Sequence, residues 1–207
     1  MKEKKLTKRQ ERALETRDKI FETAFRLMEE KGFDNITVSE ICKVSGVAKG
    51  SFYTYFKSKD DIVIEVYKDV DEKYSSEVKS LPEGTPAFDK ILAAVGFQAA
   101  YAVARGLKFT TQIYKSQLES GTDFFISEER PFFKIIKESI DEGILRKELS
   151  PHINSAETAR WIVTLSRGIT YDWCLHHGNY DIEQTMKKVF KLVHKGLQAL
   201  NNDFLSE

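Results

Sequence analysis

The sequence has little of what ties a chain to an oxidising compartment or a bilayer. It holds two cysteines in 207 residues, Cys42 and Cys174. They lie in distant regions, which leaves no disulfide framework and fits two small reduced thiols. The opening MKEKKLTKRQER is charged and has no apolar h-region, so no signal peptide is expected. No apolar run approaches the ~18 residues of a membrane span. The most apolar stretch, Ala93 to Ala104, is interrupted by Gln98 and Tyr101 and reads as a buried helix. A cytoplasmic protein without a membrane partner is expected. Internal repeats, low-complexity segments and sustained period-two alternation are missing, so no sheet is expected. There is no glycine-rich phosphate loop, CxxC pair or nucleophile elbow. Asp172 and His176, four apart on one helix face, have a chelating spacing, but nothing elsewhere completes a ligand set. Histidines at a helix C-terminus answer its dipole instead. No catalytic residue, metal or cofactor is therefore expected.

Net charge is also missing: 32 Lys and Arg meet 32 Asp and Glu. That balance argues against a protein coated with nucleic acid. The charges are unevenly placed, however. Residues 1–60 hold 14 basic and 10 acidic side chains, the remainder 18 and 22. A basic head on a mildly acidic body suits a sequence-specific DNA binder, because phosphate contacts supply much of the affinity. With 41% hydrophobic and 31% charged residues the chain is globular and long enough to bury a real core.

What is present is concentrated in Thr37 to Lys59, TVSEICKVSGVAKGSFYTYFKSK. Thr37 and Glu40 have the spacing of a capping box. Val38, Ile41 and Cys42 share one face of a short helix. Gly46 falls where the chain must turn, with Val47 beneath the turn. In the next helix, about Lys49 to Phe56, Phe52 and Phe56 are four apart and point inward. Lys49, Gly50, Ser51, Tyr53, Thr54 and Tyr55 are left for the other faces. Two neighbouring tyrosines on a water-exposed helix suit a recognition helix, since tyrosine, serine and lysine hydrogen-bond phosphates and base edges. Ser58 caps the helix that follows, with Asp61 at its third position. The layout is a helix-turn-helix reader of double-stranded DNA.

From about Arg17 to Ile64 the chain resembles the DNA-binding domain of the TetR family of bacterial transcriptional regulators. The residues that carry the resemblance are Ile20, Ala24 and Leu27, Gly32-Phe33, Thr37-Val38, Ile41, Ser45-Gly46-Val47, Lys49-Gly50-Ser51-Phe52-Tyr53, Tyr55-Phe56, Lys59 and Ile62. Cys42 stands where the family usually has alanine. The likeness covers about the first third of the chain. It implies an all-α protein: an N-terminal three-helix head (1–60, with a basic arm at 1–15) and a C-terminal helical bundle (61–207) for effector binding and dimerisation. Lys49, Gly50, Ser51 and Tyr53 are the candidates to read bases. Thr37, Tyr55 and Lys59 are the candidates to hold phosphates, and Thr54 lies beside both sets. Lys2, Lys4, Lys5, Lys8, Arg9 and Arg12 form either a solvated tail or an arm reaching flanking DNA.

The body reads as a chain of helices. Asp60 to about Lys79 carries Ile62, Val63, Val66, Val70 and Tyr74. The turn Ser80 to Pro86 follows, with Thr85 as N-cap and Pro86 in the first turn of the next helix. Phe88, Ile91, Leu92, Val95, Ala99 and Ala102 form a stripe. Gly106 interrupts the pattern before Leu107 to Glu119. A loop is expected at Ser120 to Ser127, a helix with Phe132, Phe133, Ile136 and Ile140, and a break from Gly143 to Pro151. Asn154 and Glu157 cap a helix from Ser155 to about His177. The last helix carries Ile182, Met186, Val189, Phe190, Val193 and Leu197, with Lys187, Lys188, Lys191 and Lys195 on a solvated side.

The resemblance implies that the last two helices pair with a twin as a four-helix bundle, making a homodimer on a near-palindromic operator. The helix from Ser155 has apolar or small residues on several faces, which allows this. The resemblance also implies a small-molecule effector, a bulky and largely apolar one. Phe97, Gln98, Tyr101, Phe109, Gln112, Tyr114, Phe132, Trp161 and Tyr171 are the candidate pocket, and Phe124, Phe125, Phe133, Trp173 and Gln117 belong to the same aromatic and polar set. Arg105 or Arg167 would answer an acidic group on the ligand. The alternative is a helical small-molecule-binding or metal-dependent enzyme with a helix-turn-helix-like head.

Overall fold

The computed structural model describes residues 7–119 and 122–203, and within them only helices, turns and loops. The helices are α1 (Lys8–Lys31), α2 (Val38–Ser45), α3 (Lys49–Tyr55), α4 (Lys59–Lys79), α5 (Ala87–Arg105), α6 (Leu107–Glu119), α7 (Thr122–Ile126), α8 (Pro131–Leu145), α9 (Ser155–Leu175) and α10 (Ile182–Asp203), with a 3-10 turn at Phe33–Asn35. They form two compact units. The first runs to Val66 and includes Gln112–Thr122; the second holds Tyr67–Thr111 and the chain from Asp123 onward. The division thus falls inside α4 rather than after residue 60, and the second half of α6 joins the first unit.

The first unit is built on α1. Thr7 caps it reciprocally with Gln10, and Gly32, at φ 82°, ends it. Ile20, Ala24, Leu27 and Met28 are its buried stripe, and α2 and α3 both pack on α1. From Lys8 onward the basic arm expected at 1–15 is helix, because the Thr7 cap starts α1 there. Lys2, Lys4 and Lys5 lie outside the described residues. Ser116 on α6 donates to Asp60 at the start of α4 (2.9 Å) within this unit.

In the second unit α5 is central, packed by α8, α9 and α10. Among the described residues α5 is the one helix long and apolar enough to cross a membrane. It buries Phe88, Ile91, Val95 and Ala99 against its neighbours, as a core helix does. Thr85 is not its N-cap, since its hydroxyl turns back to the Pro82 carbonyl (2.7 Å). Glu148, 61 residues away, accepts from the Ala87 N–H (2.6 Å) and supplies the acceptor instead. Nor does Gly143 break the chain: α8 runs through it to Leu145. A Cβ at Gly143 would stand 2.7 Å from the Ala87 Cβ and 2.9 Å from Leu149 Cδ1. The glycine lets α8 approach α5, and Lys147, at φ 62°, makes the turn that Gly143 was expected to make. The expected loop at 120–127 contains α7, and Ser120 and Gly121 lie outside the described residues. Lys187, Lys188, Lys191 and Lys195 are all exposed on α10.

Candidate nucleic-acid interface and effector core

The local sequence dictates how α3 is presented. Thr37 Oγ1 accepts from the Glu40 N–H (3.1 Å) and starts α2, a cap worth about 1 kcal/mol. The box is half made, since the Glu40 carboxylate is drawn to the Lys31 ammonium. Gly46 sits in the left-handed region (φ 67°, ψ 25°), and it and Val47 close the turn on the Cys42 carbonyl. α3 then leaves at the angle that buries Phe52, whose ring packs against Phe56 at 5.8 Å. Ser58 Oγ accepts from the Asp60 and Asp61 N–H groups and starts α4.

With its anchors on one edge, α3 exposes the rest. Lys49, Gly50, Tyr53 and Thr54 are exposed, and Ser51 and Tyr55 half-buried. Tyr53, 51% exposed, stands edge-on to Phe52 and is held out from the head. Thr54 back-bonds to the Gly50 carbonyl (3.1 Å). A Cβ at Gly50 would meet nothing within 4 Å, so packing does not require glycine there. Thr37 is exposed at the start of α2.

Lys59 is placed differently from its expected phosphate role. Its ammonium donates to the Phe33 (2.8 Å) and Ile36 (3.2 Å) carbonyls and lies 4.1 Å from the Phe33 ring centre. Two of its three donors thus close the end of the 3-10 turn.

The second unit holds an aromatic core around a buried ion pair. Arg130, just before α8, and Asp71, on the buried face of α4, are 6% and 0% exposed. Arg130 Nε and Nη2 grip the two Asp71 oxygens at 2.7 and 2.9 Å. Tyr67, Phe124 and Phe125 surround the guanidinium, their ring centres 5.2–5.7 Å from it. Tyr74 meets Tyr101 and Phe132 edge-on. Burial pushes the Tyr67 hydroxyl up to about 12 and raises Tyr74 further. Burial also raises Asp71, against the opposing pull of Arg130. This pair is not among the residues expected from sequence. The signal was Asp71 itself, a carboxylate four residues after Tyr67 and three before Tyr74 on an otherwise buried stripe.

The nominated pocket residues separate. Gln98, Tyr101 and Phe132 join this core. Gln98 Nε2 donates to Thr170 Oγ1 (3.3 Å), and its Oε1 is buried with no hydrogen-bond partner among the described residues. Phe97 and Phe109 are half-buried. Gln112, which donates to Ser116 (3.4 Å), and Tyr114 fall in the first unit, because α6 divides after Thr111. Trp161 and Tyr171 are 61% and 46% exposed on α9. They form an outward stripe with Thr164, Gly168 and Leu175, all exposed, at intervals of three and four residues. That spacing is the one by which one helix face can pair with another. Leu192 and Gly196 of α10 are exposed too.

Two cavities open in the second unit. One, of about 200 Å³, is walled by α7, α8 and α9 around Phe125, Phe133, Arg130 and Arg167. The other, of about 460 Å³, borders the 80–84 turn and includes the paired Lys90, Glu142 and Arg146. None of Phe97, Gln98, Tyr101, Phe109, Gln112, Tyr114, Phe132, Trp161 and Tyr171 lines either, whereas Phe125, Phe133 and Arg167, also named from sequence, line the first. Asp172 accepts from the Tyr180 hydroxyl (3.1 Å) and pairs with the His176 ring. Among the described residues no three His, Cys, Asp or Glu side chains cluster as metal ligands do. Both cysteines are free.

Comparison with known proteins agrees with the head. Residues 20–66 match the family described as bacterial regulatory proteins, tetR family. The fatty acid metabolism regulator protein of Bacillus subtilis is 25% identical over 183 residues, which cover 86% of this chain and 93% of that protein. The HTH-type transcriptional regulator YvdT of the same organism is 22% identical over 182 residues, 87% of this chain and 94% of that one. Thermus thermophilus FadR, a TetR-family transcriptional repressor solved in complex with lauroyl-CoA, superposes with a TM-score of 0.76 at 19% identity, covering 87% of this chain and 94% of that chain. These relatives are regulators, and the reading as an enzyme falls away. Residues 20–66 thus carry the DNA-binding head of the TetR family of bacterial transcriptional regulators, and the chain is similar over most of its length to proteins described as transcriptional regulators.

Proposed function

We propose that the chain is a cytoplasmic, homodimeric repressor that binds a near-palindromic operator through α3 and is released by a largely apolar effector held in its second unit. The observation that carries the DNA half is the presentation of α3. One edge, Phe52 and Phe56, is buried, while Lys49, Gly50, Ser51 and Tyr53 face outward together. Those side chains read base edges, and Thr37 and Tyr55 hold flanking phosphates, with Thr54 at the margin. Lys59 keeps one donor for a phosphate. Lys8, Arg9 and Arg12, exposed on the first turns of α1, add positive charge to the same unit.

The α9 stripe from Trp161 to Leu175, with Leu192 and Gly196 of α10, supports a two-fold pairing of the last long helices. Such a dimer would place two recognition helices in successive major grooves, about 34–36 Å apart. The aromatic core, the kinship with a fatty acid metabolism regulator and the fold shared with a lauroyl-CoA complex support a long-chain acyl compound as effector. Release follows if that ligand prefers the conformation whose heads do not fit the operator.

A gel shift and footprint on DNA flanking the protein's own gene tests this reading. A discrete protected site is expected, lost on addition of lauroyl-CoA. Absence of sequence-specific binding in low salt, with the dimer intact, overturns it. Tyr55→Phe should weaken binding to all sequences alike, whereas changes at Ser51 or Tyr53 should alter preference between sequences.

A further inference from the structure

We infer that the cavity walled by α7, α8 and α9 takes the anionic end of an amphiphilic ligand, and that this anion competes with Asp71 for Arg130. The inference rests on the reading of the second unit as an effector domain and names the chemistry of one subsite within it. At about 200 Å³ the cavity is smaller than the ~300–1,000 Å³ that holds a whole drug-sized ligand. It suits a head group or a short acid. Phe125, Ile126, Phe133 and Val163 give it apolar walls, and Arg130 and Arg167 give it charge.

The two guanidiniums converge. Arg167 Nη2 donates to the Phe125 carbonyl at 2.8 Å, and Arg130 Nη1 reaches the same oxygen at 3.3 Å. Two cations directed at one neutral oxygen in a largely buried place gain more from an anion there, because a charge-assisted bond is about twice as strong as a neutral one. Arg160, also on the wall, is exposed and paired with Glu128, so it sits at the rim. Three of the five N–H donors of Arg130 are engaged, by Asp71 twice and by Phe125 once. A planar guanidinium exchanges one carboxylate for another, or for a phosphate, without changing its own geometry.

The exchange has a consequence for α4. Asp71 is fully buried, and a buried carboxylate cannot stay ionised and in place once its cation turns to a ligand. It must take up a proton or move with α4, whose first turns, Lys59 to Val66, belong to the DNA-reading unit. The ligand chemistry is a carboxylate or phosphate on an apolar body. A free fatty acid and the phosphates of an acyl-CoA are its two sources.

Calorimetric titration of the intact dimer with dodecanoate, lauroyl-CoA and neutral 1-dodecanol tests this. An anionic probe should bind at least tenfold more tightly than the alcohol, and whether dodecanoate or lauroyl-CoA does so identifies the source. Arg167→Gln should weaken the anionic probe about tenfold and leave the alcohol unaffected, while Lys134→Gln, a charge-matched change on the outer face of α8, alters neither. Asp71→Asn, which removes the competitor, should tighten anion binding several-fold, an effect that lost packing does not produce. Should that variant fail to fold, Arg167→Gln still decides. Equal binding of alcohol and anion, or an Arg167→Gln protein that binds the anion normally, overturns the inference. Operator release by lauroyl-CoA in that same variant would leave the effector reading standing while this subsite falls. Anion binding without operator release would do the reverse.

Discussion

Asp71 and Arg130 show how much one pair decides. Both are buried, so each holds its charge only because of the other. Asp71→Ala should cost about 3–5 kcal/mol in denaturant unfolding, since it strands a buried guanidinium. Replacing both together, Asp71→Leu with Arg130→Met, should cost far less, because a buried pair and an apolar pair of similar volume are often near parity. Tyr67 and Tyr74 beside them resist ionisation. A tyrosine whose hydroxyl is held up near 12 stabilises the fold fully below about pH 10, and that contribution is lost as pH rises toward 12. Of the eight tyrosines, these two, together with Tyr180, should ionise after the exposed Tyr53, read as a late step in absorbance at 295 nm. On α3 the telling residue is Gly50. Alanine has room there and should raise helix stability by up to about 1 kcal/mol, yet operator affinity should fall if DNA approaches the bare backbone. An unchanged footprint for Gly50→Ala would remove Gly50 from the interface.

Elements owe their ends to caps of two kinds. Local caps were legible in the sequence: Thr37 for α2, Ser58 for α4 and Asn154, which accepts from the Glu157 N–H, for α9. Each needs only residues two or three apart. The start of α5 was not legible, because its acceptor is Glu148 on a distant loop. Gly143 misled for a related reason. Glycine signals a break when the backbone needs it, but here a neighbouring helix needs the space. Gly143→Ala should therefore destabilise by about 1–3 kcal/mol through overpacking, although alanine is the better helix former. Urea unfolding of the variant measures this, and a stabilised protein would show that α8 can shift away from Ala87.

At the scale of the molecule the exposed stripe on α9 is the feature that a lone chain leaves unexplained. Trp161→Glu places a charge in that seam and should shift the protein from dimer to monomer in analytical ultracentrifugation, with operator affinity lost and the helical circular dichroism kept. A variant still dimeric at micromolar concentration would put the pairing elsewhere. In sequence, Trp161 and Tyr171 looked like pocket aromatics, because aromatic residues serve cores, pockets and interfaces equally. Only the direction in which α9 turns them distinguishes these uses.

The sequence by itself determined the head. Its motifs are local: caps, a left-handed glycine, two phenylalanines four apart and a run of polar and aromatic residues beside them. Short-range sterics and hydrogen bonds make each of these readable in order. The tertiary structure alone decided the rest: that Lys59 closes a 3-10 turn, that Asp71 meets Arg130 across 59 residues, that Gln112 and Tyr114 join the first unit, and which aromatics face out. Those outcomes depend on which helix faces meet, and helical periodicity says that a face exists without saying what lies against it.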